Sequence, residues 1–394
     1  MNARIAALAA ALIGFASSTL ASAQPMNPAI ERLVVDPRCR TAGGVYNDAN
    51  LGGEINPDTN APYTADEWLN ELQNGPGGRR WCKGDDAAFA RLINQYGFAF
   101  APTAMHSART TGYGGFHLSL EAAYTKISDS ADYWENGTQG TRDPNTNQAS
   151  IRNSSPQSLL QLYSLKFRKG FGFGLELTGA VGFMPKTSIL SGGADVRMSL
   201  LEGFRTGVGG ILPDIAVGGG VRTITGTSQF QLTTVGIDGQ ISKPLPIADS
   251  SIITPWVGYQ YLFIFGDSGL VDLTPGTDAI GYCNYTGGNL PGNADPDKPV
   301  PGDPDNMPVY DGQPVCEGGT PLDFNNNTVF DHVRLRRQRL LAGLNYRYEM
   351  VMVGGQFIMD LIPPADAQVD DAEKDALEGE DKQWTLVFEL GGMF

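Results

Sequence analysis

The chain has 394 residues, of which 50 are Gly and 25 Pro, while charged residues supply only 18%, against roughly a quarter in an average domain. Turn-formers at that density argue against a helix-rich fold. A formal charge of −15 excludes the basic face that a nucleic-acid partner would require.

The first 23 residues carry Arg4, an apolar run from Ile5 to Phe15, a polar stretch from Ser17 to Thr19, and then Ala21-Ser22-Ala23. This is the layout of a cleaved signal peptide with cutting before Gln24, and the apolar run is shorter than the roughly 20 residues of a spanning helix. Cleavage removes one base and no acid, so 27 bases against 43 acids give the mature chain a charge of −16. Export to an oxidising compartment makes disulfides the first reading of Cys39, Cys82, Cys283 and Cys316. Three pairings are possible. Cys39 with Cys82 and Cys283 with Cys316 is the expected one, since each pair then stays inside one segment and on one side of a membrane. No Cys/His spacing suggests a metal site.

Residues 24 to 114 read as a small, partly helical region on the periplasmic side. Thr64 and Glu67 form a capping-box pattern ahead of Trp68, Leu69 and Leu72. A clearer helix follows: Asp85 is a good N-cap, Phe89, Leu92, Ile93 and Tyr96 share one face, and Gly97 reads as its stop. Such a thin region needs something to pack on. It is expected either to dock on the periplasmic mouth of the following domain, hinged at Gly112 to Gly115, or to stand as an independent unit.

From residue 115 to 394 the period changes from 3.6 to 2. In the first segment Phe116, Leu118, Leu120, Ala122 and Tyr124 alternate with His117, Ser119, Glu121 and Thr125. In the third Phe173, Leu175, Leu177, Val181 and Phe183 alternate with Gly174, Glu176, Thr178 and Ala180, and between them Tyr163, Leu165 and Phe167 alternate with Ser164, Lys166 and Arg168. The pattern recurs to give ten strands, with twelve as the alternative if Phe98 to Ala104 joins the sheet, and eight as the lower bound. The second face is rich in Gly, Ala, Ser and Thr with isolated charges of both signs, which suits a confined polar lumen. Connections alternate between long (128–157, 266–330, 361–382) and short, and aromatic residues gather at both strand ends, as at a membrane interface. A closed antiparallel up-and-down transmembrane β-barrel is the all-β solution that leaves no edge in lipid.

The chain here resembles the outer-membrane β-barrel proteins of Gram-negative bacteria, over about residues 115 to 394. The final strand, Trp384 to Phe394, is the most specific element. In that family such an ending is read by the barrel assembly machinery, so the resemblance gives Leu386, Phe388, Leu390 and Phe394 that role and makes the assembly machinery, outer-membrane lipid and lipopolysaccharide the expected partners. The strand around Thr254-Pro255-Trp256-Val257-Gly258-Tyr259 is similar to family members as well. No plug domain with an energy-coupling motif is recognisable.

No catalytic residue is assigned. His117, Ser119 and Glu121 share a strand face, but residues i and i+2 lie about 7 Å apart there, too far for a serine–histidine pair. The densest charge cluster is Arg334-Leu335-Arg336-Arg337-Gln338-Arg339, in which Arg337 and Arg339, with Arg347 further on, have inward parity. Arg334 and Arg336 have outward parity above the hydrocarbon band; an inward charge network is the first reading of the cluster, an anion-preferring constriction the second, and contact of Arg334 and Arg336 with lipopolysaccharide phosphates the third. We expect a lumen charge network of Glu121, Glu176, Asp195, Arg197, Arg222, Asp238, Arg337, Arg339, Arg347, Asp360 and Glu389. Residues 267 to 330 hold ten acids and one base, and 362 to 383 add eight acids against two Lys. These loops resemble Ca2+ ligands in composition only, without EF-hand spacing, and no cofactor is expected. The leading functional expectation is a structural or surface-interaction barrel with acidic extracellular loops. A narrow passive, porin-like channel comes second, and an outer-membrane enzyme third, since no clustered nucleophile supports it.

Overall fold

The computed structural model describes residues 26–35, 84–104, 106–141, 152–203, 212–248, 250–273 and 327–394, together with four short paired backbone segments at 55–56, 61–62, 282–285 and 314–317. Ten antiparallel strands close on themselves: β1 (Phe116–Lys126), β2 (Leu159–Gly170), β3 (Leu175–Phe183), β4 (Leu190–Leu201), β5 (Asp214–Thr225), β6 (Phe230–Ser242), β7 (Ser251–Ser268), β8 (Val333–Tyr348), β9 (Val351–Asp360) and β10 (Trp384–Met393). Each pairs with its sequence neighbours, and β10 returns to β1 in a register running from Thr385–Thr125 to Met393–His117. Reciprocal bonds between Phe116 and Phe394 (2.9 and 2.8 Å) finish the seam. One additional strand, Leu245–Ala248, pairs with the start of β7 in a short connection.

The alternation of side chains sorts as the period-2 pattern expects, with the apolar set outside. Leu120, Val181 and Ile237 are 63%, 57% and 58% exposed, whereas Glu121, Glu176, Arg197 and Gln260 are buried. This inverts a soluble sandwich and matches a barrel whose outer face meets hydrocarbon. The strand ends joined by connections 127–158, 184–189, 226–229, 269–332 and 361–383 are at one end of the barrel, and those joined by 171–174, 202–213, 243–250 and 349–350 at the other. The ends are called here the long-loop end and the short-turn end. Exposed Tyr113, Phe171, Phe173 and Phe394 gather at the short-turn end.

Two strand-level expectations change. The third strand begins at Leu175 rather than Phe173, because Phe173 and Gly174 both take a positive φ (62° and 70°) in the turn after β2. Phe98 to Ala104 does not enter the sheet: Phe98 and Phe100 belong to helix α1 (Asp86–Phe100), and the count stays at ten.

Helix α1 starts as its sequence requires, with the Asp85 carboxylate accepting from Ala88 N at 2.9 Å. It runs past Gly97 and ends where Pro102 follows Ala101, since the residue before a proline avoids the helical region. Gly97 is there for contact rather than termination: a Cβ on it would stand 2.4 to 2.8 Å from three atoms of Ile264. The Thr64–Leu72 helix expected from sequence falls outside the described residues, as do Cys39 and Cys82.

The largest departure concerns where this helix sits. It lies across the long-loop end, whereas the sequence alone has this region either docked at the short-turn mouth or standing as an independent unit. Phe89 stacks on Phe330 at 4.8 Å and meets Phe230 edge-on, and Ile93 abuts Gly266. Helix α2 (Asp132–Gly137), helix α3 (Asp371–Ala376) and the turn Ile30–Arg32 pack around it as a crown. The physical reason is the apolar lining at that end, where Leu262, Ile264, Leu335, Phe230 and Leu232 face inward and are buried. From Ala101 the chain then descends through the lumen and enters β1 at the short-turn end.

Filling the Gly97 gap tests this docking. Gly97→Val should cost about 1–3 kcal/mol through overpacking, despite its gain in helix propensity. Gly355→Val, where a Cβ meets nothing within 4 Å, should leave stability unchanged. Urea unfolding in detergent micelles distinguishes them, and equal midpoints would contradict the docking.

Candidate functional site: a lumen filled by the chain

The site to understand is the barrel interior, because every group of chemical interest converges on it. At the long-loop end the side chain of Gln95 on α1 ties the crown together. Its Nε2, with two N–H groups, lies within hydrogen-bond distance of Ser128 Oγ (3.0 Å), Tyr133 Oη (2.5 Å) and Glu380 Oε2 (2.7 Å), and its Oε1 accepts from Trp134 Nε1 (2.7 Å). Tyr133 donates to Glu380 (2.8 and 2.9 Å). Burial, with the Glu380 carboxylate beside it, pushes the Tyr133 phenol well above its ordinary range, so it stays a donor. Arg91 reaches the end of α3 through Ala376 O at 2.7 Å.

One level down, two arginines of β8 hold the base of α1. Arg337 forms an ion pair with Asp360 and donates to Asn94 Oδ1 (2.9 Å) and Gln383 Oε1 (2.8 Å). Arg339 bonds Gln260 and donates to Phe98 O (3.2 Å) and Pro102 O (2.6 Å). The Phe98 ring lies under both guanidinium groups, at 4.6 and 5.0 Å, a cation–π arrangement that gains strength when water is excluded.

The descending residues 101–104 and 106–111 are held largely by their main chain. Besides the Arg339 contacts, Gln260 donates to Pro102 O (3.3 Å), Gln356 to Thr103 O (2.5 Å) and Gln240 to Ala104 O (3.0 Å). Ala108 N donates to Ser242 Oγ and Thr111 N to Glu176 Oε2. A non-sheet backbone in a confined lumen must have its polar groups satisfied, and long amide and guanidinium side chains on β5 to β9 and their neighbours supply the partners.

Below and beside this segment lie the ion pairs of the strands. Lys166 pairs with Glu121 at 2.6 Å, and both bond Thr103 Oγ1. Arg197 pairs with Asp238 (3.1 Å) and contacts Gln240 Oε1 (2.6 Å) and His106 Nδ1 (2.7 Å). Arg222 pairs with Asp195 (2.6 Å). Arg168 lies 3.6 Å from both Glu176 and Glu389, and His117 stands 4.0 Å from Glu389.

The structure therefore places Glu121, Glu176, Asp195, Arg197, Arg222, Asp238, Arg337, Arg339, Asp360 and Glu389 in the interior. Around the threaded chain, Asp238, Arg197, His106, Glu176, Arg168 and Glu389 follow one another in contact, His106 Nε2 lying 3.9 Å from Glu176, while Lys166 with Glu121, Arg222 with Asp195 and Arg337 with Asp360 pair beside them. Arg347 stands apart at the short-turn end, its described polar contact being Met393 Sδ at 3.5 Å. Arg334 is exposed on the outer face. His117 and Ser119 are buried, and among the described residues neither ring nitrogen of His117 nor Ser119 Oγ has a hydrogen-bond partner, so the two do not pair with each other. Sequence reasoning left out Lys166 and Arg168, whose inward parity beside Ser164 was visible, and Thr103, His106, Gln240, Gln260 and Gln356, which gain meaning only once a segment passes through the lumen. Leu386 and Phe388 face outward on β10, and Phe394 is 67% exposed at the seam.

No family model and no curated protein sequence matches the chain. Among solved structures, it is similar to Ail, the attachment invasion locus protein of Yersinia pestis (10% identity, 72% of this chain and 100% of that one, TM-score 0.23). It is also similar to OprG from Pseudomonas aeruginosa (12%, 73% and 99%, TM-score 0.24) and Omp33 from Acinetobacter baumannii (6%, 71% and 98%, TM-score 0.23). All are Gram-negative outer-membrane proteins, and similarity at this level carries no function from them to this chain. The closed ten-stranded barrel rests on the strand register itself.

Asp360→Asn would leave the buried Arg337 guanidinium without its carboxylate, at a cost of about 3–5 kcal/mol. Replacing both partners with apolar residues, as in Arg337→Met with Asp360→Leu, should recover much of that loss. Lys374→Ala, which removes the exposed pair to Asp371, should cost no more than about 1 kcal/mol. Equilibrium unfolding of the four proteins ranks them; an Asp360→Asn variant as stable as the parent would contradict the buried pair.

Proposed function

We propose that this is a closed outer-membrane barrel that presents its N-terminal region and acidic loops at the cell surface, in a structural or surface-interaction role. One observation carries the reading: the chain's own residues 86–104 and 106–111 occupy the lumen from the crown to the short-turn end. Solute passage would require displacing them, which sets the passive-channel alternative behind the closed one.

The apolar outer face and the aromatic residues at the short-turn end support placement in a bilayer, and long loops face the exterior in such barrels. With that orientation the crown is extracellular. The described residues Val34 and Gly84 are bridged to each other at the long-loop end. Pairing of Cys283 with Cys316 is favoured by register, because the two are direct partners in the ladder of 282–285 with 314–317. Cys39 with Cys82 remains the complementary pair. Arg334 and Arg336, at the long-loop end of β8, stand where lipopolysaccharide phosphates would be met. The outward row Leu386, Phe388, Leu390 and Phe394 is available to the assembly machinery before the seam with β1 closes.

Two measurements test the proposal. The whole protein in a planar bilayer should show no steady conductance, and persistent step-like currents would favour the channel. An epitope placed after Gln24 should be labelled by antibody on intact cells; labelling only after the outer membrane is permeabilised would overturn the surface assignment.

A further inference from the structure

A small cavity of about 140 Å³ remains at the short-turn end of the lumen, beneath the point where the threaded segment turns into β1. Its wall includes Arg109, Arg168, Arg347, Glu202, Thr254 and Asn345. The wall carries three guanidinium groups, two of which already face carboxylates. Arg109 is held by Glu202 at 3.6 Å, and Arg168 by Glu176 and Glu389 at the same distance. Arg347 has no carboxylate partner among the described residues.

A second, independent observation points the same way. Asn345, two positions before Arg347 on β8, is only 5% exposed, and among the described residues neither its amide nitrogen nor its carbonyl oxygen has a hydrogen-bond partner. Arg168 Nε, also buried, makes no hydrogen bond among the described residues, its carboxylate neighbour Glu176 standing 3.6 Å away. A buried amide left unsatisfied costs free energy unless something polar completes it. The cavity has room for one small oxyanion or a few waters, and guanidinium groups match the geometry and charge of tetrahedral oxyanions.

We propose that this cavity is a binding site for a phosphate-class oxyanion, with Arg347 and Arg168 supplying charge and Asn345 a neutral donor. The anion would come either from free inorganic phosphate or from a phosphate-bearing headgroup entering at the short-turn mouth. Its volume admits the phosphate but not an acyl chain. Binding there would tie β8 to the end of the threaded segment, because Arg109 comes from that segment and Arg347 from the wall.

Calorimetric titration of the full-length refolded protein in detergent, with sodium phosphate against matched sodium chloride, tests the site; a short-chain phosphatidic acid forms the second arm. Phosphate or phosphatidic acid binding should weaken by about tenfold or more in Arg347→Gln and detectably in Asn345→Leu, while Arg334→Gln, on the outer face, should bind like the parent. Binding of phosphatidic acid alone identifies a headgroup as the source, and binding of both identifies the free anion. The heat-modifiable gel shift shows that each variant is folded. Absence of both ligands from the folded parent protein, or unchanged affinity in folded Arg347→Gln, would overturn the proposal.

Discussion

A barrel wall solves the hydrogen bonding of its strands and leaves a second problem, which is what fills the middle. About eight strands enclose an interior that side chains alone can fill; ten enclose more. Here the deficit is met by the chain itself. Helix α1 and the segment after it occupy the interior, and the chemistry of the inward-facing positions, the placement of the crown and the closure of the pore follow from that one occupancy.

The interior is accordingly not uniform. Near the long loops the inward residues are apolar and buried, and they pack on Phe89, Ile93, Tyr96 and Phe98 of α1. Towards the short turns they are charged or carry amides, and they address a backbone that has left the helix and needs partners for its carbonyls. The switch occurs at Arg337 and Arg339, which reach the last turn of the helix and the first extended residues after it. Two kinds of filler are thus matched by two kinds of lining along the same strands.

Much of the wall was legible because alternation is a strong signal when each face has one chemistry. Glu121, Glu176, Asp238 and Arg337 reveal their inward position by parity alone, and Asp85 announces its helix. Alternation fails where both faces are apolar. The run Tyr261-Leu262-Phe263-Ile264-Phe265 contains outward rings that meet lipid and inward Leu262 and Ile264 that meet α1; only the first set stands out in a period-2 reading. That continuous run was the sign that something apolar must fill the upper lumen. Gly97 misled for a related reason, because a glycine demanded by close approach looks the same in sequence as one demanded by a helix end. Which mouth the helix occupies is written in neither segment separately, only in the match between them.

The most direct test of this account is proximity inside the folded barrel. In a chain whose four native cysteines are replaced by Ser, Gly97→Cys with Ile264→Cys should form a cross-link on mild oxidation while the protein keeps its heat-modifiable mobility. A cross-link instead between Gly97→Cys and Ser250→Cys, at the short-turn end, or no cross-link at Ile264 in folded protein, would contradict the threading of the chain through its own barrel.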